Sequence, residues 1–362
     1  MAAKWIRWQW LVASLAWLAL ACAPAPAAPP APAPGTPPAT ATGARPPVQL
    51  RVGHVPGVPT AGVYLADKRG YFTAEGLEVT LEAFDAGERT IPAVATGQID
   101  VAVGGLSAAI YGAIARGAEL KVVAGVSKNE PGYSSSAIVV RKELIDTGAI
   151  RDLSDLRGRT VGLVAPSATL AIDVYRGLQT VGLSDADIHW VILSFPDQVL
   201  ALANGAIDTA TLTEPFVARA VQSGAGVRWK GMDELFPNHQ LTVIIYAPDF
   251  GRDRPEAAQR FLAAYLRGAR DYVDAVKHGR DRIGVFTVLA EYTPIKDLSV
   301  YEAIVPSGID PDGELNLESM EYDQEWYLAR GYLRERVDLG RVVDLRYRDA
   351  ALQRLGRYTP RP

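Results

Sequence analysis

Short strand-like runs of apolar residues, separated by apolar helices, follow one another along this chain. One pattern occurs twice, starting at residues 93 and 201: an apolar helix end, a glycine, an Ile-Asp step and a strand. Gly97 and Gly205 each follow the helix, where glycine readily adopts the left-handed conformation that closes the last turn. The spacing exceeds the periods of solenoid and propeller repeats. The pattern therefore predicts one α/β unit used once in each of two domains.

The same periodicities predict the remaining elements. Strands are expected at 48–53, 77–82, 120–126, 137–141, 160–164, 190–193 and 241–246, and helices at 61–69, 110–116, 255–276 and 317–330. Alternation of strands and helices indicates mostly parallel sheets with helices on both faces. Ligands of such sheets bind beyond the carboxyl ends of the strands. The loops after the two repeated strands, 104–107 and 213–216, are therefore candidate binding segments.

The first 22 residues have the pattern of an export signal. Lys4 and Arg7 precede an apolar run that is too short to span a membrane. Cys22, the only cysteine of the chain, follows this run in a lipobox-like sequence. Residues 23–47 contain 10 of the 25 prolines, which predicts an extended spacer. We expect a signal peptide over 1–22 and a lipid on Cys22 that anchors the exported protein to the outer face of the cell membrane.

Composition excludes several classes of function for residues 48–362. This part is long enough for two domains, and it contains no cysteine for disulfides or thiolate metal ligands. The net charge of the chain is −4 and basic runs are absent, which argues against nucleic-acid binding. The histidines lack the spacing of metal ligands, and no serine-hydrolase or phosphate-loop motif occurs. We therefore expect neither an enzyme nor a bound metal or cofactor.

Several motifs resemble one family when they are taken together and in order. They are Pro59–Val79, the two Gly-x-Ile-Asp steps, Asp155–Gly162, Thr213–Phe216 and Leu328–Leu333. They resemble the SsuA-like family of solute-binding proteins, which serve ABC importers for alkanesulfonates, nitrate, thiamine pyrimidine precursors and related vitamins. The resemblance implies an α/β periplasmic-binding-protein fold (Venus flytrap, type II), in which two lobes joined by two hinge-crossing strands close on a solute. It assigns 48–135 plus 242–362 to lobe one and 136–241 to lobe two.

The resemblance also implies a function and partners. We expect a membrane-anchored, monomeric solute-binding protein that delivers a small molecule to an ABC permease and its ATPase. A ligand-sensing surface lipoprotein without a permease is one alternative. A pyrimidine-synthase-like enzyme is a second alternative, which the lack of cysteine in residues 48–362 disfavours.

Ten residues on loops or crossings are candidate solute contacts. They are Thr60, Tyr64, Gly105, Ser107, Tyr133, Ser167, Thr169, Phe195, Glu214 and Tyr246. Ser167 and Thr169 begin a helix, whose free N–H groups suit an anion or a carbonyl oxygen. Glu214 offers an acceptor for a ring N–H or a hydroxyl group. Core packing explains Tyr64 equally well, and N-capping explains Ser167.

The residue types near the expected cleft favour a flat ligand over an anion. Arg89 and Lys128 are the basic candidates, whereas the aromatic candidates are Tyr64, Tyr133, Phe195, Phe216 and Tyr246. Aromatic side chains stack on planar rings, and a few polar groups orient them. We therefore expect a heteroaromatic vitamin or precursor, with riboflavin first and a thiamine pyrimidine second. The alternative ligand is an alkanesulfonate or nitrate.

Overall fold

The computed structural model describes residues 46–360. The expected signal peptide, the lipidated Cys22 and most of the expected spacer lie outside the described residues. None of the helices formed by residues 46–360 is both long and apolar enough to cross a bilayer.

The strands of the described part assemble into two sheets. They are β1 (Val48–His54), β2 (Leu77–Ala83), β3 (Val101–Gly105), β4 (Lys121–Lys128), β5 (Ser136–Arg141), β6 (Thr160–Leu163), β7 (His189–Ile192), β8 (Thr209–Thr213), β9 (Gly226–Gly231), β10 (Gln240–Tyr246) and β11 (Gly308–Ile309). The first sheet has the order β11-β4-β10-β3-β1-β2, and the second has the order β7-β6-β8-β5-β9.

Helices cover these sheets. They are α1 (Ala61–Lys68), α2 (Tyr71–Ala74), α3 (Gly87–Ala95), α4 (Ala108–Ala115), α5 (Lys142–Asp146), α6 (Thr169–Thr180), α7 (Phe195–Ala203), α8 (Phe216–Gln222), α9 (Met232–Leu235), α10 (Pro248–Asp253), α11 (Pro255–His278), α12 (Arg282–Tyr292), α13 (Leu298–Glu302), α14 (Leu317–Ala329), α15 (Leu339–Val342) and α16 (Arg346–Leu355). Short 3-10 helices lie at Val58–Thr60, Leu153–Leu156 and Asp185–Asp187.

The repeated sequence forms the same unit in each sheet. Helix α3 leads into β3 of the first sheet, and α7 leads into β8 of the second. Gly97 and Gly205, which follow these helices, have φ angles of 71° and 77°. Glycine adopts this left-handed conformation without steric strain, so both turns close as the sequence predicts. The α/β fold class with two sheets is confirmed.

The expectation of mostly parallel sheets is corrected in part. In the first sheet β1 is parallel to β2 and β3, but β10 is antiparallel to both β3 and β4. In the second sheet β5 is antiparallel to β8 and β9. The reason is chain path: β5 and β10 are the first strands after the chain passes from one sheet to the other, over 129–135 and 232–239. Each enters its new sheet from the opposite direction.

A buried charge cluster lies where the two crossing segments meet. The Asn129 N–H donates to the His239 carbonyl at 3.0 Å. The ring nitrogens of His239 bond to Asp173 of α6 at 2.6 Å and to Asp323 of α14 at 2.8 Å. All three side chains are fully buried. Burial alone would lower the pKa of His239, but the two carboxylates outweigh it and raise the pKa to about 10.

Candidate functional site

A cavity of about 110 Å³ lies between strand ends of the two sheets. Its lining comes from the segments that follow β1, β2 and β3 on one side, and from those that follow β6, β7 and β8 on the other. These are the carboxyl ends of the strands, where α/β sheets bind ligands. Both copies of the repeated unit therefore bring their strand ends to one cavity, as the sequence predicts.

Six of the ten predicted contact residues line this cavity. They are Thr60, Gly105, Ser107, Thr169, Phe195 and Glu214. Asp85, Gly87, Glu88 and Leu241 also line it.

The other four predicted contacts lie elsewhere. Tyr64 packs in the core of the first sheet, where it stacks on Tyr292 with 4.9 Å between the ring centroids. Tyr246 is also buried there, and its hydroxyl group donates to the Ala258 carbonyl at 2.6 Å. Their placement at the cleft is corrected, because the helix face of Tyr64 and the strand face of Tyr246 both point into the core.

Tyr133 and Ser167 do not line the cavity, and each has a partner within the protein. The ammonium group of Lys277 lies 4.6 Å from the centre of the Tyr133 ring. The Ser167 hydroxyl group donates to Glu88 Oε2 at 2.9 Å, which joins the two sides of the cleft at its rim. Ser167 is therefore a cross-cleft contact rather than a lining residue.

Three helices begin at the cavity without a side-chain cap. Helices α3, α4 and α6 have Ala86, Ser107 and Ala168 at their N-cap positions, and none of these side chains bonds to its helix. The free N–H groups and the positive end of each helix dipole attract acceptor groups of a ligand. The Ser107 hydroxyl is buried and has no hydrogen-bond partner among residues 46–360. This side of the cavity suits a carbonyl oxygen or an oxyanion.

The charged side chains of the lining are all acidic. They are Asp85, Glu88 and Glu214, and no lysine or arginine of the described part of the chain lines the cavity. The two basic candidates pair elsewhere, because Arg89 lies 3.2 Å from Asp85 at the surface and Lys128 lies 3.4 Å from Asp310. A bound anion would therefore depend on backbone N–H groups and neutral hydroxyl groups such as that of Ser107.

Glycines in this lining bring backbone segments together. A Cβ on Gly87 would lie 2.7 Å from the Gly105 nitrogen, and one on Gly104 would lie 3.2 Å from the Gly87 Cα. Gly104 and Gly105 of the β3 loop therefore allow the backbone of α3 to approach closely. The first turn of α3 is held at the cavity by this contact.

Backbone contacts also join the two sides of the cavity. Ser107 and Ala168 form an isolated antiparallel bridge. The Val58 N–H donates to the Glu214 carbonyl at 3.2 Å. Sequence reasoning missed the contact of Val58, since a backbone donor or acceptor leaves no signal in the residue type.

Comparison with known proteins gives a family and a fold. The model of the NMT1-like family matches residues 43–284, more than half of the chain. The bicarbonate transport ATP-binding protein CmpC of Synechocystis sp. is 27% identical over 231 residues, which are 60% of this chain and 34% of CmpC. The chain therefore spans about a third of the length of this curated relative.

Solved structures of similar fold include binding proteins and an enzyme. The alkanesulfonate-binding protein SsuA of Xanthomonas axonopodis pv. citri, bound to MOPS, has a TM-score of 0.67 at 21% identity, over 82% of this chain and 98% of that chain. The periplasmic nitrate-binding protein NrtA of Synechocystis PCC 6803 has a TM-score of 0.67 at 15% identity, over 86% and 89%. The desulfurization enzyme DSZB has a TM-score of 0.59 at 16% identity, over 85% and 99%. These likenesses establish the two-sheet binding-protein fold.

Proposed function

We propose a solute-binding function in import for this chain, which belongs to the NMT1-like family. In this proposal the protein captures a small molecule outside the membrane and delivers it to the permease and ATPase of an ABC-type importer. The observation that carries the proposal is the cavity, which is enclosed by strand ends of both sheets. Two chain crossings connect these sheets. Similarity to alkanesulfonate- and nitrate-binding proteins and to an importer ATP-binding protein supports it.

Capture requires that the cleft opens and closes. We propose that residues 48–135 with 242–362 and residues 136–241 move as two lobes about the crossings at 129–135 and 232–239. The cross-cleft bonds of Ser167 and Val58 would break on opening. A solute then favours the closed form by as much as it binds that form more tightly.

For the solute, we propose a neutral heteroaromatic compound with hydrogen-bond acceptors on its ring system, with riboflavin first and a thiamine pyrimidine second. The acidic lining without a basic side chain supports this choice. A ring carbonyl of riboflavin, or a ring nitrogen of the pyrimidine, would accept from the N-termini of α4 and α6, and Phe195 offers a face for stacking. Of the five aromatic candidates, Phe195 is the one that lines the cavity, so one ring instead of several is available for stacking.

An alkanesulfonate or nitrate is the second candidate solute. The uncapped starts of α4 and α6 and the free Ser107 hydroxyl favour it, because such groups hold oxyanions without a basic side chain. The named ligands of SsuA and NrtA are of this class.

Calorimetry decides between the two classes of solute. Riboflavin, a hydroxymethylpyrimidine, taurine and nitrate are each titrated into the purified protein at low and at high salt. A neutral solute should bind with little dependence on salt, whereas an anion should bind more weakly at high salt because its charge is screened. Binding of taurine or nitrate without any response to the two heterocycles overturns the heterocycle proposal. A lack of binding by all four probes leaves the import function without support.

The enzymatic alternative makes a separate prediction. The similarity to a desulfurization enzyme keeps it open. A binding protein should release its solute unchanged, so mass spectrometry of the solute after long incubation should detect no product. Turnover of any bound probe would contradict the transport proposal.

We also propose that Cys22 carries a lipid that anchors the protein. The lipobox-like sequence around this sole cysteine supports the proposal. Cys22→Ser should release the protein from membranes, with unchanged thermal unfolding. If the variant stays with the membrane fraction, or if the mature N-terminus lies elsewhere, the anchor is wrong.

A further inference from the structure

Glu214 lies at the predicted cavity position, but its carboxylate is bound within the protein. Oε2 accepts from the Ala218 N–H at 2.9 Å, and Oε1 accepts from the Val305 N–H at 3.1 Å. The carbonyl of Glu214 accepts from Val58. Glu214 follows β8 of the second sheet, whereas Val58 follows β1 and Val305 precedes β11 of the first. Glu214 therefore bridges the cleft twice, and each of its carboxylate oxygens already accepts a hydrogen bond within the protein.

The surroundings of this carboxyl group disfavour its charged form. Glu214 is 1% exposed and forms no ion pair with a lysine or arginine of residues 46–360. Arg228 of β9 is the basic group whose charge lowers the pKa of Glu214. Its guanidinium group donates to the Ser134 carbonyl. Tyr272 of α11 faces it from the first-sheet side, and the acidic Asp85 and Glu88 lie across the cavity.

We propose that Glu214 is a proton-coupled latch, which takes up a proton from solvent when the cleft closes and releases it when the cleft opens. The inference rests on the proposed function in one respect, namely that the cleft opens and closes. On opening, Val58 and Val305 withdraw and water reaches the carboxylate. On closing, both oxygens lose water, and Oε1 gains the Val305 N–H while Oε2 keeps the Ala218 N–H of its own lobe.

The sign of the coupling follows from the burial. Burial raises the pKa of Glu214 from its usual 4.5 to about 7, against the opposing effects of the Ala218 and Val305 bonds and of Arg228. The closed form is thus favoured at acid pH: the stabilisation is complete below about 4.5 and is lost as the pH rises through about 7. Between pH 5 and pH 8 the closing equilibrium should weaken on the order of ten- to a hundredfold.

A disulfide across the cleft tests this without any solute. Ser107 and Ala168 are opposed in an antiparallel bridge. Residues opposed in this way generally have Cα atoms about 4.5–5.5 Å apart, within the range that a disulfide spans. The variant Ser107→Cys/Ala168→Cys is made in the full chain with Cys22→Ser, so that the new pair has no competing thiol. Carbon-13 NMR of glutamate-labelled protein then follows the carboxyl titrations in the oxidised and reduced forms, and Glu214→Gln assigns the resonance of Glu214. Glu302→Gln, at an exposed glutamate of α13, is the matched control.

The latch predicts a different titration in the two forms. Glu214 should titrate near pH 7 in the oxidised form and well below that in the reduced form, and Glu302→Gln should change neither result. The same low pKa for Glu214 in both forms overturns the latch. Failure of the cysteine pair to oxidise would overturn it as well, since the cleft contacts would then be absent in solution.

A second pair of variants tests the bond from Val305. Val305→Pro removes the N–H donor, and Pro306 already favours extended backbone at this position. The disulfide equilibrium against glutathione should shift about tenfold toward the open, reduced form, whereas Val305→Ala should leave it unchanged. Equal shifts in both variants, or none in Val305→Pro, would contradict the latch. Neither measurement uses a solute, so a failure of all four probes in calorimetry remains a separate result.

Discussion

At the scale of single residues, the Ser107 hydroxyl separates a binding role from a structural one. It is buried at the cavity and makes no hydrogen bond among the described residues. Ser107→Ala should therefore weaken solute binding by about threefold to tenfold, the effect of losing a hydrogen bond worth about 0.5–1.5 kcal/mol. Thermal unfolding should stay within about one degree of the parent's, because no hydrogen bond among the described residues is lost.

Ser127 provides the matched control for this prediction. Its hydroxyl is also buried and has no hydrogen-bond partner within residues 46–360, but it lies in β4 and does not line the cavity. Ser127→Ala should leave the affinity unchanged in calorimetry. Equal affinities of the two variants would remove Ser107 from the binding site.

The sequence predicted which residues lie at the cavity better than it predicted the direction of their side chains. Ser107, Thr169 and Phe195 were found because they follow strand ends, which the hydrophobic pattern predicts. The direction of Glu214 could not be found, because its partner Val305 is 91 residues away along the chain. Tyr246 lies on a strand that is buried on both faces, so the pattern does not tell which face meets the cavity.

At the scale of elements, the crossing of α1 and α11 depends on one pair of glycines. A Cβ on Gly268 would clash with the Gly62 carbonyl and lie 2.8 Å from the Ala66 nitrogen. Backbone atoms cannot move aside as a flexible side chain does, so α11 would shift away from α1. Overpacking usually lowers the free energy of unfolding by about 1–3 kcal/mol, and the loss in Gly268→Ala should exceed this range.

Gly112→Ala is the control for this crossing. Gly112 lies in α4, and the atom nearest to an added Cβ is the end of the flexible Arg116 side chain at 3.2 Å. Alanine is favoured over glycine in a helix by about 1 kcal/mol, so this variant should be neutral or more stable. Urea denaturation measures both, and similar losses in the two variants would contradict the packing argument.

The charge cluster at the crossings should be a strong determinant of stability. His239→Gln leaves Asp173 and Asp323 buried without a cation, which should cost about 3–5 kcal/mol of unfolding free energy. His239→Gln combined with Asp323→Asn should lose less, because one buried charge is removed with its partner. A double variant that is less stable than the single one would contradict this.

The cluster also predicts a pH dependence. The folded protein raises the pKa of His239 from 6.5 to about 10, so its contribution is complete below pH 6.5 and is lost as the pH rises through about 10. The difference in stability between the parent and His239→Gln should therefore narrow from pH 7 to pH 10.5 in urea denaturation. A constant difference would indicate that His239 is neutral in the fold.

The observed helices and strands agree closely with those predicted from the sequence, except where an element depends on a partner that is distant along the chain. The repeated α3–β3 and α7–β8 units were predicted from local pattern and glycine stops alone. Strand β9 was missed, because Gly226–Gly231 lacks an apolar alternation and is fixed by pairing with β5. The antiparallel direction of β10 follows from the chain path between sheets, which no local pattern encodes.

At the scale of the whole molecule, a clamp and a rigid pocket differ in how their size responds to solute. The described structure has the cleft joined by Ser167–Glu88, Val58–Glu214 and the Ser107–Ala168 bridge. In a clamp these contacts are made only in the closed form. A ligand must bind that form about ten-thousandfold more tightly to shift a population from 1:99 to 99:1. Few contacts outside the cavity should therefore oppose opening in the absence of solute.

Small-angle scattering tests the clamp directly. The oxidised Ser107→Cys/Ala168→Cys variant supplies the radius of gyration of the closed form. The parent protein without solute should be larger than this reference, and saturation with whichever of the four probes binds should bring it to the same value. The reduced variant serves as the control for the substitutions themselves. If the parent already matches the oxidised variant without solute, and does not change on saturation, the cleft is a preformed pocket, and delivery to a permease would have to proceed without lobe closure.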